Sequence, residues 1–499
     1  MKKIAHSIPR FAKRWIPYLL LLYIIVGIAS YLTNPFTKYT IVNVPFQSTV
    51  GEDGQLKLVE QHGLRLRTNR AYGVFVWFKS GYHIFNNVYA GGKPSRSEIL
   101  QDIIRDIHIL RFDPNEPYLI SGDHFSTLYI RSLGIFYHTL LDPRTALDDS
   151  DWSNRQRIYL QTTAYALDVF KDAPRLSTTI VPVGMSSVSL MNVYTPPSDT
   201  LYSLLYALDV MSSTETLEDT YRIDITPQYQ LQTRAAAQEL LHTHRTNLAR
   251  HYQTFVQDTV DPETQLVRKD ILLSGAKDIA KRQSAFYDNV MLWKTTQLAQ
   301  KHNVIDPDPQ YLTDLKAQIL TTYWNEEMGC FLEDQSQEAI DGKYYSSDWL
   351  IALKTGFLDP FNPQDRQYYT GCVSYIQANG LDQPFGLKYQ QKVRHHRLHP
   401  IVRFMAPEYG GTTIWSNWGM EYIKLLTLLY QTMGQEEYLT RARQQLESYT
   451  NKIVEYGCYP EVYDERGNMY KNLFYKSICQ TGWVVTYEQA KLMVESQPK

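Results

Sequence analysis

Tyr459-Pro-Glu-Val-Tyr-Asp-Glu-Arg-Gly467, followed by Gln480-Thr-Gly-Trp483, is the stretch on which the reading of this chain turns. A carboxylate, Glu461, stands just before a turn-forming Asp-Glu-Arg-Gly run, and a helix with an aromatic start opens at Gly482-Trp483. Cys458 and Cys479 flank the stretch, and a bridge between them would stiffen it. With Cys330 and Cys372 they make four cysteines, which allows three pairings or four buried thiols; with no C-x-x-C pair, a zinc site is not expected.

Outward from this stretch, the chain from Ser95 on reads as a succession of helices with long connections. Helix starts are expected near Arg96, Asp123, Trp152, Asp199, Leu231, Ile279, Pro309, Ser347, Pro363, Thr413, Glu436 and Gly482. Apolar residues recur at helical spacing, as in Tyr422, Leu425, Leu426 and Leu429. Paired in order, these helices give six hairpins, the plan of an (α/α)6 toroid in which inner and outer rings leave a funnel at one end; periodicity alone does not choose it over an irregular helical bundle. The expected fold is therefore mainly α. Loops rich in Gly, Asp, Trp and Tyr between the pairs are where binding residues belong.

The N-terminus differs in character. Lys2, Lys3, Arg10, Lys13 and Arg14 precede an uncharged run from Trp15 to Thr37. A bilayer-crossing helix needs about 20 apolar residues, so residues 1–33 read as a basic cytoplasmic tail and a single transmembrane helix, with the bulk of the chain outside. A signal peptide cut after Gly27-Ile-Ala29 is the alternative. Residues 34–94 read as a short membrane-proximal β-like or linker segment, and 95–499 as the helical domain. The absence of any Asn-x-Ser/Thr sequon fits a bacterial envelope.

Composition narrows the classes further. Of 499 residues, 43% are hydrophobic and 20% charged, which excludes a disordered chain. A formal net charge of −2 gives no support to nucleic acid as a partner. The 38 tyrosines suit stacking on sugar faces and suit an aromatic core equally. No nucleophile elbow, P-loop, dinucleotide fingerprint or H-E-x-x-H is present, and no cofactor is expected. The basic run Lys392-Val-Arg-His-His-Arg-Leu-His399 reads as a solvated loop, with an anionic polymer as the sharper alternative.

Five segments, in order, carry a resemblance. They are Leu119-Ile-Ser-Gly-Asp-His-Phe-Ser126 leading to Arg131, Ser274-Gly-Ala-Lys-Asp278, Tyr323-Trp-Asn-Glu-Glu-Met-Gly-Cys-Phe-Leu-Glu333, Gly410-Gly-Thr-Thr-Ile-Trp415, and Tyr459 to Asp464 with Gly482-Trp483. Together they resemble the six-hairpin glycosidases, closest to glycoside hydrolase family 63 and its trehalase-like relatives. The resemblance implies Asp278 as general acid, by likeness to a Ser-Gly-x-Asp segment, and Glu461 as general base. It also implies Asp123, Arg131, Tyr287, Asp288, Trp415 and Trp483 as substrate-binding. The departures are Lys277 where Arg is common, His124-Phe125, Thr412-Thr413 in place of a Pro, and the missing large N-terminal β-domain.

The physical requirement stands beside the resemblance. An acid must protonate the leaving oxygen while a second carboxylate activates water, and inverting enzymes hold the two roughly 6.5–9.5 Å apart. Each residue has a plainer role available. Asp278 is an acid at a helix start, Asp123 an N-cap, and Asp288 and the tryptophans parts of the core; Asp464 and Glu465 rival Glu461. A Lys277 facing the site would lower the pKa of Asp278, but adjacent side chains on a helix diverge by about 100°. The expected function is hydrolysis of an α-linked glucoside or mannoside, with inversion, by a membrane-anchored enzyme acting on an oligosaccharide or polysaccharide. A non-catalytic glycan-binding protein on the same toroid, or a polysaccharide lyase, are the alternatives.

Overall fold

The structure is a computed structural model that describes residues 15, 17–22, 24–25, 39–42, 47–59, 67–68, 94–112, 118–122, 127–182, 187–194, 196–212, 232–277 and 279–498. It is mainly helical. The helices are α1 (Leu100–Arg111), α2 (Arg131–Ile135), α3 (Asp149–Lys171), α4 (Thr200–Ser212), α5 (Arg234–Thr259), α6 (Phe286–Lys301) and α7 (Pro309–Tyr323). They continue with α8 (Gln337–Asp341), α9 (Ile351–Lys354), α10 (Pro363–Ala378), α11 (Pro400–Met405), α12 (Ser416–Met433), α13 (Glu436–Tyr456) and α14 (Val484–Glu495).

Their ends follow local chemistry. Asp308 accepts from Tyr311 N at the start of α7, and Asn362 from Gln364 N at the start of α10, each followed by Pro at the first helical position. Gly434 and Gly457 close α12 and α13 in the left-handed region, at φ 68° and 61°.

Packing sorts the helices into two rings. α2, with the 3₁₀ turn Tyr137–Leu141, packs on α4, α4 on α6, α6 on Ser347–Leu350 and α9, these on α12, and α12 on α14. α14 then returns to Tyr137–Leu141, which closes the circle. Inner helices touch neighbours on every side, so α12 is buried at each residue from Ser416 to Leu429. Outer helices bury one stripe; in α13 it runs through Tyr438, Leu439, Ala442, Leu446, Tyr449 and Ile453. Gly134 lets α2 approach α4, since a Cβ there would lie 2.6 Å from Ser203 Cα. The second expected helix starts later than Asp123 because the chain first forms a short strand, β5 (Leu128–Tyr129).

The segment before α1 is built onto this body. β1 (Tyr39–Val42) pairs antiparallel with β7 (Ser187–Met191), in a five-stranded sheet that also holds β4 (Arg67–Thr68), β6 (Thr179–Pro182) and β5. The hairpin of β2 (Gln47–Val50) and β3 (Leu56–Val59) buries Leu56, whose N–H donates to Gln232 O (2.8 Å). Two further strand pairs lie in loops: β8 (Trp324–Asn325) with β9 (Cys330–Phe331), and β10 (Ile414–Trp415) with β11 (Val462–Tyr463).

Among the described residues no helix is long and apolar enough to cross a membrane. Most of the expected span, from Val26 to Thr37, lies outside them. Trp15 to Ile25 is helical where described, and its large apolar side chains, the half-buried Ile24 apart, are exposed rather than packed in the core.

Candidate active site

Glu461 is held from both sides by backbone. β10 and β11 pair Trp415 with Val462, so Ser416 N and Oγ both donate to Glu461 O, at 3.0 and 2.9 Å. Glu461 N donates to Ile478 O (2.9 Å), and the Cys458–Cys479 disulfide closes the loop around it. The second bridge joins Cys330 to Cys372. The Glu461 side chain is 6% exposed. Tyr409 donates its hydroxyl to Oε2 at 3.1 Å, and the Tyr475 hydroxyl lies 3.5 Å from the same oxygen.

Aromatic rings surround this carboxylate. Tyr409 meets Trp415 edge-on at 4.8 Å and Tyr475 at 5.2 Å. Trp415 and Trp483 lie stacked at 6.3 Å, and Trp483 stacks on Phe136 at 4.3 Å. The buried indole N–H of Trp483 has no acceptor among the described residues. Three of the expected residues, Glu461, Trp415 and Trp483, are thus brought into one aromatic site.

Tyr389 joins that site to the Ser274–Lys277 turn. Its ring packs on Trp415 at 5.3 Å and carries the Lys277 ammonium 4.6 Å above its centre. Lys277 turns inward and pairs with Glu333 at 2.7 Å. Burial lowers its pKa to about 8 against the pull of Glu333. Burial also opposes charge on Glu333, but Lys277 and then Arg397 outweigh it and hold the carboxyl at about 2. In a strict Ser-Gly-x-Asp spacing the fourth residue is Lys277, not Asp278. Asp278 itself lies outside the described residues, as does Asp123.

The remaining expected residues that the structure describes are also buried. Arg131 Nε lies 3.5 Å from Asp199 Oδ2, which also accepts from Tyr287 OH at 3.1 Å. Tyr287 is fully buried, and Asp288 is 3% exposed with its pKa raised by burial, although Arg282 opposes the shift. Both back the Ser-Gly turn: a Cβ on Gly275 would lie 2.9 Å from Asp288 Oδ1 and 3.1 Å from the Tyr287 ring. Arg282 is bound to Asp348 at 2.6 Å, and Tyr389 donates to the same Asp348 oxygen at 3.3 Å.

Tyr389, Tyr409 and Tyr475 escaped the sequence reading. Each comes from a different loop, and nothing in spacing or composition marks three of 38 tyrosines. The basic run is partly absorbed by the fold: Arg397 pairs with Glu333 and Asp334, Arg394 stacks on Tyr344, and His396 meets Glu338.

No family model and no curated protein matches the chain. Solved structures do. The cellobiose 2-epimerase of Bacillus thermoamylovorans aligns over 79% of this chain and 98% of its own, at 9% identity and TM-score 0.50. The neutral trehalase of Saccharomyces cerevisiae (13% identity, 77% and 74% covered, TM-score 0.45) and the glucoamylase of Saccharomycopsis fibuligera (12%, 82% and 98%, 0.46) are also similar. The epimerase likeness shows a shared fold, in keeping with the ring of helices described above. Identities this low say nothing of activity.

Proposed function

We propose that this chain is a glycoside hydrolase that cleaves an α-linked glucoside or mannoside with inversion. The observation that carries the reading is Glu461: a buried carboxylate, fixed by backbone on two sides, with tyrosine hydroxyls at one oxygen and tryptophans beside it. In this reading Glu461 takes a proton from the attacking water and Asp278 protonates the leaving oxygen. Trp415 and Trp483 stack on the sugar, Asp123 binds a hydroxyl, and Arg131, Tyr287 and Asp288 hold the walls. Support for Asp278 comes from its neighbour: Lys277 lies on Tyr389, which packs on Trp415 of the Glu461 site.

In this reading residues 1–33 supply a cytoplasmic tail and a membrane anchor, with the helical domain outside, in a bacterial envelope. Five basic residues before the apolar run support that orientation, and two disulfides support an oxidising compartment.

The test is hydrolysis of α-linked disaccharides and oligosaccharides by wild type, Asp278→Asn and Glu461→Gln, with the anomeric form of the fresh product read by NMR. Release of the inverted anomer, lost in both folded variants, is expected. Hydrolysis that survives in either variant removes that residue from its role. A glycan-binding protein without catalysis is the second reading, favoured by Lys277 at the fourth position of the Ser-Gly segment; it requires binding with no hydrolysis by any form.

A further inference from the structure

Phe404, near the end of α11, is 69% exposed; Leu473 and Phe474, in the loop after Tyr470, are 68% and 40% exposed. Single exposed apolar side chains are ordinary on a protein surface, but three large ones gathered from two segments mark a binding face. The Phe404 and Phe474 rings lie 4.9 Å apart. Asn472 ties the two segments together. Its Nδ2 donates to Met405 O (2.8 Å), and its Oδ1 accepts from the N–H groups of Phe474 and Tyr475, both at 2.8 Å. The face is therefore presented by a braced turn.

The same two segments reach Glu461. Tyr409, five residues after Phe404, and Tyr475, the residue after Phe474, both approach Glu461 Oε2. Tyr470 bridges them, 6.2 Å from each ring, and donates to Glu408 at 3.0 Å. A cluster of rings at the buried carboxylate is thus joined through the chain to the exposed pair.

We propose that Phe404, Leu473 and Phe474 form an outer platform that stacks on the C–H face of a sugar unit beyond those at Glu461. The ligand is then an oligosaccharide chain longer than a disaccharide. The inference rests on the proposed function for the place where the chain enters, not for its cleavage. Pyranose rings carry one face of C–H groups that packs on aromatic surface, and the segments that carry this platform also carry Tyr409 and Tyr475 at Glu461.

Binding separates the platform from catalysis. The full chain carrying Glu461→Gln is titrated calorimetrically with α-linked gluco- and manno-oligosaccharides of increasing length, with and without Phe404→Ala/Phe474→Ala. Affinity is expected to rise from disaccharide to longer chains. The double change is expected to remove about tenfold of that gain and to leave disaccharide affinity unaltered. If length-dependent binding is seen but Glu461-containing protein hydrolyses nothing, the hydrolase reading fails and the platform stands. Binding that ignores length, is untouched by the double change, or is absent for every oligosaccharide overturns the platform. So does a double variant whose only loss is association with anionic phospholipid vesicles, since Arg403 and Lys471 are also exposed here.

Discussion

Glu461 combines two properties that a solvated loop acid lacks: a backbone fixed by hydrogen bonds on both sides, and a carboxylate kept from bulk water among rings. A general base works through placement, and its loss costs typically 10²–10⁴-fold in rate. Glu461→Gln is therefore expected to lower kcat by about that factor while the melting temperature stays close to wild type, checked by initial rates and calorimetry. Gly275 is the other residue where the site depends on an absence. A Cβ there would meet Ser198 Oγ at 2.7 Å and Asp288 Oδ1 at 2.9 Å, and Ser198 is itself bound to Ser274. These neighbours are all buried and have little room to move aside, so Gly275→Ala is expected to destabilise by about 1–3 kcal/mol, read by denaturant unfolding. Glu461, Trp415 and Trp483 were legible because they fall in short motifs. Tyr389, Tyr409 and Tyr475 were not, because only folding makes them neighbours.

Among the elements, inner helix α12 takes part in a buried cluster of three charges. Glu421 accepts from Lys354 at 2.5 Å and from Lys424 at 2.7 Å, all three enclosed, and Lys424 also donates to Gln489 of α14. Two cations around one anion leave a surplus positive charge, which burial relieves by lowering the Lys424 pKa to about 7. Burial resists ionisation of Glu421, but Lys354 and then Lys424 outweigh it and hold the carboxyl at about 2. The signs follow by linkage. Between pH 7 and the ordinary lysine value of 10.5, the unfolded chain binds a proton that folded Lys424 lacks, so its contribution to stability rises with pH. Below the ordinary glutamate value of 4.5, the contribution of Glu421 falls as the pH drops toward 2. Lys424→Met is expected to flatten the rise in melting temperature from pH 7 to 10.5. Glu421→Gln is expected to cost about 3–5 kcal/mol at neutral pH. A melting curve for Lys424→Met that keeps the full pH dependence would remove this account of the triad.

At the scale of the whole molecule, the toroid closes only when α14 reaches the Tyr137–Leu141 turn, so contacts far apart in sequence decide it. The segment before α1 adds to that closure through β1 on β7 and Leu56 in the core. A chain beginning at residue 38 is expected to melt like the full protein. One beginning at residue 94 loses Leu56, whose burial alone contributes about 1.5–3 kcal/mol, and is expected to melt several degrees lower. Equal melting of the two would make 34–94 a mere linker, one of the two readings, strands or linker, that its β-like pattern left open. Several helix starts were readable because they depend on local chemistry, an acid or amide cap with a proline at the first position or an apolar period, whereas those expected near Asp123 and Ile279 come later, at Arg131 and Phe286. Hence the α7, α10 and α13 starts fall where the sequence puts them, at Pro309, Pro363 and Glu436. The resemblance of short segments to family motifs pointed to Glu461, Trp415 and Trp483, which the fold places near one another. What only the tertiary structure decided is what depends on neighbours from elsewhere in the chain: which helices line the inner ring, that Lys277 turns to Glu333, and that Tyr409 and Tyr475 converge on one carboxylate oxygen. A cap or a hydrophobic stripe is written within a few residues, whereas burial of a charge and the partner that permits it are settled only when distant segments meet.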